Sequence, residues 1–187
     1  MANTQRDVLE AALAILDEFG LADLSMRRLA TALDIRPSAL YWHYPNKQTL
    51  LAAVADEVLA AVPEPTAGPS WTDQLRDTTV AMRAAMLRYK DSAEVISSAY
   101  ASGLITSPVG DHLVTAARAG GMADDAAQAA RTALSQFVIG FTIEQQTREQ
   151  MERLNVTEPS DRDFDAEFDA GLDLIVTGIR SLSGQLV

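Results

Sequence analysis

Residues 25–47, SMRRLATALDIRPSALYWHYPNK, decide the fold of this 187-residue chain. Ser25 carries a hydroxyl that can cap a helix, and Leu29 and Leu33 follow at one-turn spacing, which gives that helix an inward face. Pro37 suits the first position of a second helix, because its fixed φ matches a helix start and no N–H is lost. The stretch therefore predicts two short helices joined by a tight turn.

The second of these helices has an inward and an outward face. Leu40 and Tyr44 lie four residues apart and face inward together, and Pro45 ends the helix. In the preceding turn, Asp34 tolerates a left-handed backbone better than most residues. Small, polar and aromatic side chains cover the outer face and its flanks: Ser38, Ala39, Tyr41, Trp42 and His43.

These outer side chains suit contact with DNA. A short helix fits the major groove, where its first residues reach base edges. Arginine pairs bidentately with guanine, small and aromatic side chains contact base edges or thymine methyl groups, and cations reach phosphates. The predicted DNA-binding residues are Arg27, Arg28, Arg36, Pro37, Ser38, Ala39, Tyr41, Trp42, His43 and Lys47. The alternative is that these are ordinary solvated helix residues.

The same stretch carries a resemblance to a known family. SALYWHYPNKQTLLAAV (38–54), preceded by RRLATAL (27–33), resembles the DNA-binding domain of the tetracycline-repressor (TetR) family. The likeness continues through WTDQLRDTTVAMRAAMLRYKD (71–91) and FVIGFTIEQQ (137–146), so it covers nearly the whole chain and is close to the tetracycline repressors themselves. Asp34 is a local departure, because the family commonly has glycine in this turn.

The resemblance implies an all-α, TetR-like fold with an N-terminal helix-turn-helix DNA-binding domain and a C-terminal helical ligand-binding and dimerisation domain. It also implies a homodimeric transcriptional repressor that a small-molecule inducer releases from double-stranded operator DNA. Between the two parts, PEPTAGP (63–69) breaks the helical composition with three prolines and a glycine. We therefore predict the DNA-binding domain at 1–62, the linker at 63–69 and the ligand-binding and dimerisation domain at 70–187.

The composition fits a globular protein of one large or two small domains. Hydrophobic residues make up 48% of the chain, which is enough for a substantial core. There are no cysteines, which excludes disulfides and fits a reducing compartment. No apolar run approaches the roughly 20 residues of a membrane span, and the N-terminus lacks a signal-peptide pattern. We expect a cytoplasmic protein with no membrane partner.

The net charge of −11 is unexpected for a protein that binds DNA. Its distribution resolves the conflict, because most acidic residues lie far downstream. Between residues 24 and 50 a single acid, Asp34, stands against four cations: Arg27, Arg28, Arg36 and Lys47. An acidic body repels DNA everywhere except at the predicted reading face. Non-specific binding should therefore be weak and affinity strongly salt-dependent.

Helical periodicity continues through the rest of the chain, with no convincing strand. Thr4 caps a first helix that runs to Phe19 and is closed by Gly20, and Asn46 caps the helix after the reading stretch. Phe19 belongs to the predicted buried stripe of the first helix. Further helices are predicted at about 71–90, 92–101, 108–120, 126–152 and 164–183.

The last predicted helix carries Phe168, Leu172, Ile175, Ile179 and Leu182 at alternating spacings of four and three, which is a seam for another helix. That helix can belong to the same chain or to a second copy. The resemblance favours the second copy, with this helix and the long helix from Ala126 pairing with their counterparts as a four-helix bundle. The operator would then be a palindrome.

In tetracycline repressors the drug is bound as a magnesium chelate by a few polar side chains. By the resemblance, the metal-ligating histidine falls at Ile96, which cannot coordinate magnesium. We therefore predict no tetracycline–magnesium binding, no metal and no cofactor, and a largely apolar ligand instead. Thr78 and Glu144 are its predicted polar anchors, and plain core packing is the alternative for each apolar residue. The predicted ligand-binding residues are Thr78, Met82, Met86, Ile96, Tyr100, Leu113, Leu134, Phe137, Phe141 and Glu144.

Two rival functions are weighed against this hypothesis. An enzyme is disfavoured, because the chain has two histidines and no cysteine, and the acidic run DRDFDAEFD (161–169) is typical of a helix N-terminus rather than of paired catalytic acids. The other rival is a DNA-binding dimer that responds to no ligand and whose C-terminal part serves dimerisation alone.

Overall fold

A computed structural model describes residues 4–66 and 68–183, and within these residues helices are the only regular secondary structure, so the all-α expectation is confirmed. Residues 1–3, Ala67 and 184–187, which fall in the predicted domains and linker, lie outside the described residues. The helices are α1 (Gln5–Phe19), α2 (Met26–Ala32), α3 (Pro37–Leu40), α4 (Lys47–Leu59), α5 (Trp71–Met86), α6 (Ser92–Ser102), α7 (Val109–Ala119), α8 (Asp124–Arg153) and α9 (Phe164–Ser183).

These helices form two compact units that do not follow chain order. The first unit comprises Met1–Ala60 and Ala85–Thr106, and the second comprises Ala61–Ala84 and Ser107–Val187. The segment that contains α6 therefore packs with the N-terminal helices, although it follows the predicted linker. The boundaries proposed from the sequence at 63–69 stay a prediction, since they divide the chain along its length rather than by packing.

Local capping determines where α1 begins and ends. The Thr4 hydroxyl accepts the Asp7 N–H at 3.2 Å, and the Asp7 carboxylate accepts the Thr4 N–H at 2.7 Å, which lowers the pKa of Asp7. Gly20 ends the helix with φ +85°, as predicted. The prediction that Phe19 is buried is wrong. Its side chain is 44% exposed and lies against the Arg28 guanidinium, 3.8 Å from the ring centroid.

Helices α4 and α6 pack against each other in the first unit. The apolar residues Leu50 and Val54 of α4 are fully buried. Burial of each such side chain contributes about 1.5–3 kcal/mol, so this contact is a major part of the unit's stability. The facing helix α6 contributes the buried residues Ala93, Val95, Ile96 and Ala99.

The turn between α5 and α6 binds the C-terminal end of α1. Asp91 adopts a left-handed backbone, with φ +53°, and its carboxylate accepts the Leu21 N–H at 2.8 Å. The Lys90 ammonium donates to the Glu18 carbonyl at 2.8 Å. This turn begins after Met86, so the prediction that α5 extends to Lys90 is wrong. The bond from Lys90 satisfies one of the carbonyl groups that the C-terminal end of a helix leaves unpaired.

Hydrogen bonds also connect α4 with the residues that follow α6. The Asp56 carboxylate accepts the Thr106 backbone N–H at 2.9 Å and the Thr106 hydroxyl at 2.5 Å. Hydrogen bonds to a charged acceptor are stronger than neutral ones. The segment 85–106 is therefore attached to the N-terminal helices at both of its ends, and apolar packing joins them between.

Arg83 is the buried arginine that connects α5, α8 and α9 in the second unit. Its side chain donates to the Gln145 amide oxygen at 2.8 Å and lies 2.8 Å from an Asp165 carboxylate oxygen. The guanidinium is also 4.7 Å from the centroid of the Phe168 ring. With 8% of Arg83 exposed, the loss of these partners would leave a buried charge uncompensated.

Helix α9 has the predicted bounds, and part of its apolar seam packs within the second unit. Phe168, Leu172 and Ile179 are buried there, so the alternative of packing within the same chain is correct for them. Gly171 permits close approach, because a Cβ at this position would lie 2.7 Å from an atom of the Phe137 ring. By contrast, Leu182 at the end of the seam is 55% exposed.

Gly171→Ala should destabilise the protein by about 1–3 kcal/mol, because the added methyl overpacks against the Phe137 ring. Alanine's higher helix propensity offsets only part of this penalty. The penalty should shrink in a Phe137→Leu background, where the ring is absent. Urea unfolding followed by circular dichroism measures the four proteins of this cycle. Equal penalties in both backgrounds would contradict the assigned contact.

Candidate nucleic-acid interface

The turn between α2 and α3 has the geometry that its sequence predicts. The Ser25 hydroxyl accepts the Arg28 N–H at 3.2 Å and so caps α2. Asp34 adopts the predicted left-handed conformation, with φ +52°. The Ile35 N–H then donates to the Ala30 carbonyl at 3.0 Å, which closes the end of the helix.

Helix α3 is shorter than predicted, since it ends at Leu40 rather than at Pro45. Residues 41–43 continue as tighter turns, in which the His43 N–H donates to the Leu40 carbonyl at 2.9 Å. Proline disfavours a helical backbone at the residue before it, so the helix cannot reach Tyr44. The inward pair is confirmed, with Leu40 0% and Tyr44 4% exposed.

Helix α4 begins directly after this turn with a reciprocal cap. The Asn46 side chain accepts the Thr49 N–H at 2.9 Å, and the Thr49 hydroxyl accepts the Asn46 N–H at 3.3 Å. Lys47 is the first residue of α4 and is half-buried. The cap therefore holds Lys47 at a defined distance from the aromatic residues of the preceding turn.

Two adjacent aromatic side chains project from the turn between α3 and α4. Trp42 is 90% exposed and Tyr41 is 51% exposed. Large aromatic side chains with this exposure are unusual on a surface without a partner, and they mark a candidate interaction site. Arg27 and Arg36 are exposed on the same two-helix segment. The segment therefore combines cationic side chains with exposed aromatic rings, in a chain whose net charge is negative.

Arg28 differs from the other predicted DNA-binding cations, because its side chain has partners within the first unit. Its guanidinium forms an ion pair with Asp23 and lies over the Phe19 ring. These contacts orient Arg28 and cover part of a ring that was expected in the core. The sequence contained a signal for this ion pair, because Asp23 lies five residues before Arg28. A DNA contact by Arg28 stays a prediction.

The ten residues predicted to bind ligand are divided between the two units. Met86, Ile96 and Tyr100 belong to the first unit. The second unit contains Thr78, Met82, Leu113, Leu134, Phe137, Phe141 and Glu144. Of these, Phe137 and Phe141 form an aromatic cluster, with ring centroids 5.8 Å apart. Met82, Leu113 and Leu134 are completely buried, which suits a ligand wall and a plain core equally.

Glu144, one predicted polar anchor, is held at the surface by an arginine. Its carboxylate lies 2.5 Å from Arg162, and the side chain is 59% exposed. Arg162 also binds Glu167 at 2.5 Å, and its bonds to Glu167 and then to Glu144 raise the pKa of the guanidinium. The same ion pair lowers the pKa of Glu167. Sequence spacing gave no signal for this cluster, because Arg162 lies in a loop.

No group of three histidine, cysteine or acidic side chains within residues 4–66 and 68–183 is arranged to hold a metal ion. Across the same residues, no helix has the length and apolarity needed to cross a bilayer.

The helix-turn-helix with its exposed rings, followed by a body of long helices, defines a class of DNA-binding regulators. Residues 8–54 match the family model described as "Bacterial regulatory proteins, tetR family". Residues 62–161 match the model described as "Tetracyclin repressor-like, C-terminal domain". The chain belongs to the TetR family of transcriptional regulators.

Three relatives illustrate this membership. The tetracycline repressor protein class D of Escherichia coli is 44% identical over 99 residues, which span 51% of this chain and 45% of that repressor. BioQ of Mycobacterium smegmatis superposes with a TM-score of 0.89 at 40% identity, covering 96% of this chain and 98% of BioQ.

A structure of BioQ with its natural double-stranded DNA operator matches with a TM-score of 0.83 at 39% identity, covering 95% of this chain and 98% of that one. TetR-Q116A from Acinetobacter baumannii AYE, in complex with minocycline, matches with a TM-score of 0.83 at 30% identity, covering 97% of this chain and 98% of that one.

Arg162→Ala should raise the pKa of Glu167 toward its ordinary value, because the ion pair that lowers it is lost. A depressed folded-state pKa means that the pair stabilises the fold above the unfolded pKa, and that this contribution disappears as the pH falls through the folded pKa. Carboxyl ¹³C NMR titrations of the parent and variant measure the shift. Identical Glu167 titrations in the two proteins would contradict the pairing.

Proposed function

We propose that this regulator is a repressor that binds a palindromic operator as a homodimer and is released by a small, largely apolar molecule. The observation that carries the proposal is the exposed pair Tyr41 and Trp42 beside exposed arginines on the helix-turn-helix. In this acidic chain, that segment combines cations with exposed aromatic rings, which suits contact with a polyanion. The likeness to BioQ, which has been solved with its operator, supports the same assignment.

In the proposed complex, the first turn of α3 enters the major groove. Arg27 and Arg36 read guanine edges, and Tyr41 contacts a base or a thymine methyl. Lys47 neutralises a phosphate from the start of α4, where it is held by the Asn46 cap. Arg28, Pro37, Ser38, Ala39, Trp42 and His43 complete the proposed contact set.

The proposed dimer forms through α8 and α9. Leu174 is 77% exposed and Leu182 55% exposed on α9, so apolar surface remains on this helix after the second unit has packed. A two-fold dimer would present two reading segments to successive major grooves, with half-sites about 34 Å or a multiple of it apart. This geometry requires a symmetric operator. As a regulator of DNA, the dimer would act in the cytoplasm.

Release by a ligand is proposed as a shift between two conformations of different operator affinity. The likeness to a repressor solved with minocycline supports ligand binding by the C-terminal part of the chain. A coupling of about 1–3 kcal/mol is typical for such linkage. The rival proposal is a DNA-binding dimer without a ligand, because the buried residues Met82, Leu113 and Leu134 also suit an ordinary core.

Tyr41→Ala should weaken binding to an operator selected from random duplexes by about 1–3 kcal/mol, the range for a lost base contact. Lys47→Ala should reduce the slope of log affinity against log salt by about 1, because one phosphate contact is lost. Arg153→Ala, an equal charge change at the exposed end of α8, is the control and should leave operator affinity unchanged. Fluorescence anisotropy at several salt concentrations measures all three variants. Operator binding by Tyr41→Ala and Lys47→Ala that matches the parent would refute the proposed contacts.

Tetracycline with Mg²⁺ should not bind saturably at micromolar concentrations. Ile96 replaces the expected histidine ligand and offers no donor to magnesium, and it is fully buried. Drug fluorescence during a protein titration measures the affinity, with drug alone and Mg²⁺ alone as controls. A dissociation constant near 1 µM, equivalent to about −8 kcal/mol, would overturn the prediction.

A further inference from the structure

Three buried polar atoms in the hairpin of α7 and α8 lack a hydrogen-bond partner among the described residues. They are His112 Nδ1, Arg131 Nε and Ser135 Oγ. Buried polar groups in folded proteins almost always have a partner, because an unmade hydrogen bond costs folding free energy. Three such atoms within one helical hairpin are therefore available to a group from outside the chain.

The Ser135 hydroxyl does not make the bond that other helical hydroxyls of this unit make. Thr79, Thr132 and Thr142 each donate to the carbonyl four residues earlier, at 2.7, 2.9 and 2.7 Å. Ser135 has the same option at the Arg131 carbonyl but does not use it, although only 5% of the residue is exposed. Its hydroxyl is therefore free to bond to something else.

Arg131 lacks the ion pair that most arginines of the second unit form. Five of them form ion pairs with carboxylates: Arg76, Arg83, Arg118, Arg148 and Arg162. Within the part of the chain that the structure describes, Arg131 has no carboxylate partner, although its Nε is buried. The residue as a whole is half-buried. A guanidinium cannot neutralise itself by losing a proton, so its buried Nε–H favours an anion or a strong acceptor.

The topology brings the three residues to one part of the hairpin. Arg131 and Ser135 are four residues apart on α8 and share a face of the helix. Helices α7 and α8 pack together, and the short connection from Ala119 to Asp124 makes them antiparallel. His112 and Arg131 are equally far along the chain from this connection, so they lie at the same level of the hairpin.

We propose that His112, Arg131 and Ser135 form the polar end of the inducer site and that the inducer carries a carboxylate. The inference rests on the proposed ligand response and names the chemical class of the ligand. A guanidinium fork matches a carboxylate bidentately, and a serine hydroxyl and an imidazole nitrogen add further hydrogen bonds. Leu113 and Leu134, which adjoin this set in sequence, are completely buried and apolar. The ligand is therefore an amphipathic acid.

Side-chain ¹⁵N–¹H NMR of the full-length protein tests the site with acetate as the probe. The Nε–H signal of Arg131 is assigned by its loss in Arg131→Lys, and the protein is titrated with sodium acetate or with sodium chloride. Acetate should shift the signal saturably and chloride should not. Ser135→Ala should weaken acetate binding roughly five-fold, the effect of one lost hydrogen bond. The exposed Arg153 is the internal control and should respond equally to both salts.

A signal of Arg131 that shifts equally in the two salts, or in neither, would overturn the inference, as would an acetate affinity unchanged by Ser135→Ala. Urea unfolding provides an independent readout, because Ser135→Ala should keep or increase stability if the hydroxyl has no partner in the chain. A loss of stability would instead indicate an internal partner and a structural role.

Operator binding, measured in the same buffer, separates this inference from the proposed function. A parent protein that binds its selected operator but shows no acetate response defeats the carboxylate assignment alone. A protein that binds no duplex at low salt defeats the proposed function.

Discussion

The position of the helix-turn-helix, residues 25–47, depends on the packing of α4 against α6. α4 follows the helix-turn-helix directly, contains the fully buried Leu50 and Val54, and packs against a helix that lies far downstream in the chain. The segment 85–106, which contains α6, is also held by hydrogen bonds at both ends. Asp91 accepts one from a residue just after α1, and Asp56 of α4 accepts one from Thr106. Because packed interiors do not deform continuously, a displacement of α6 must carry α4 with it or break this interface.

Charge then decides which surface can face a polyanion. The chain carries a net charge of −11, yet the exposed part of the helix-turn-helix presents Arg27 and Arg36 beside Tyr41 and Trp42. Arg28 is already paired with Asp23, so the exposed cations are fewer than the sequence suggests. In the proposed complex, such an interface would depend more on specific contacts than on general attraction, which would favour discrimination between operator and other DNA.

Three arginines of the second unit show how one residue type takes different roles. Arg83 is buried and fully partnered by an amide, a carboxylate and an aromatic ring, so it stabilises the junction of three helices. Arg162 is held between Glu144 and Glu167 at the surface, where solvent weakens the pairs. Arg131 has a buried Nε and no partner in the described chain, as expected if it binds the proposed carboxylate ligand.

The sequence by itself determined that the chain is helical and where α1, α2 and α4 begin, because a cap acts within four residues and needs no distant partner. Ser25, Asn46 and Asp34 adopt the predicted roles for this reason. Only the tertiary structure decided that residues 85–106 join the N-terminal unit, that Phe19 is exposed under Arg28, and that Glu144 is an ion-paired surface residue. These outcomes depend on pairs brought together by the fold, and neither periodicity nor composition specifies which distant residues will meet.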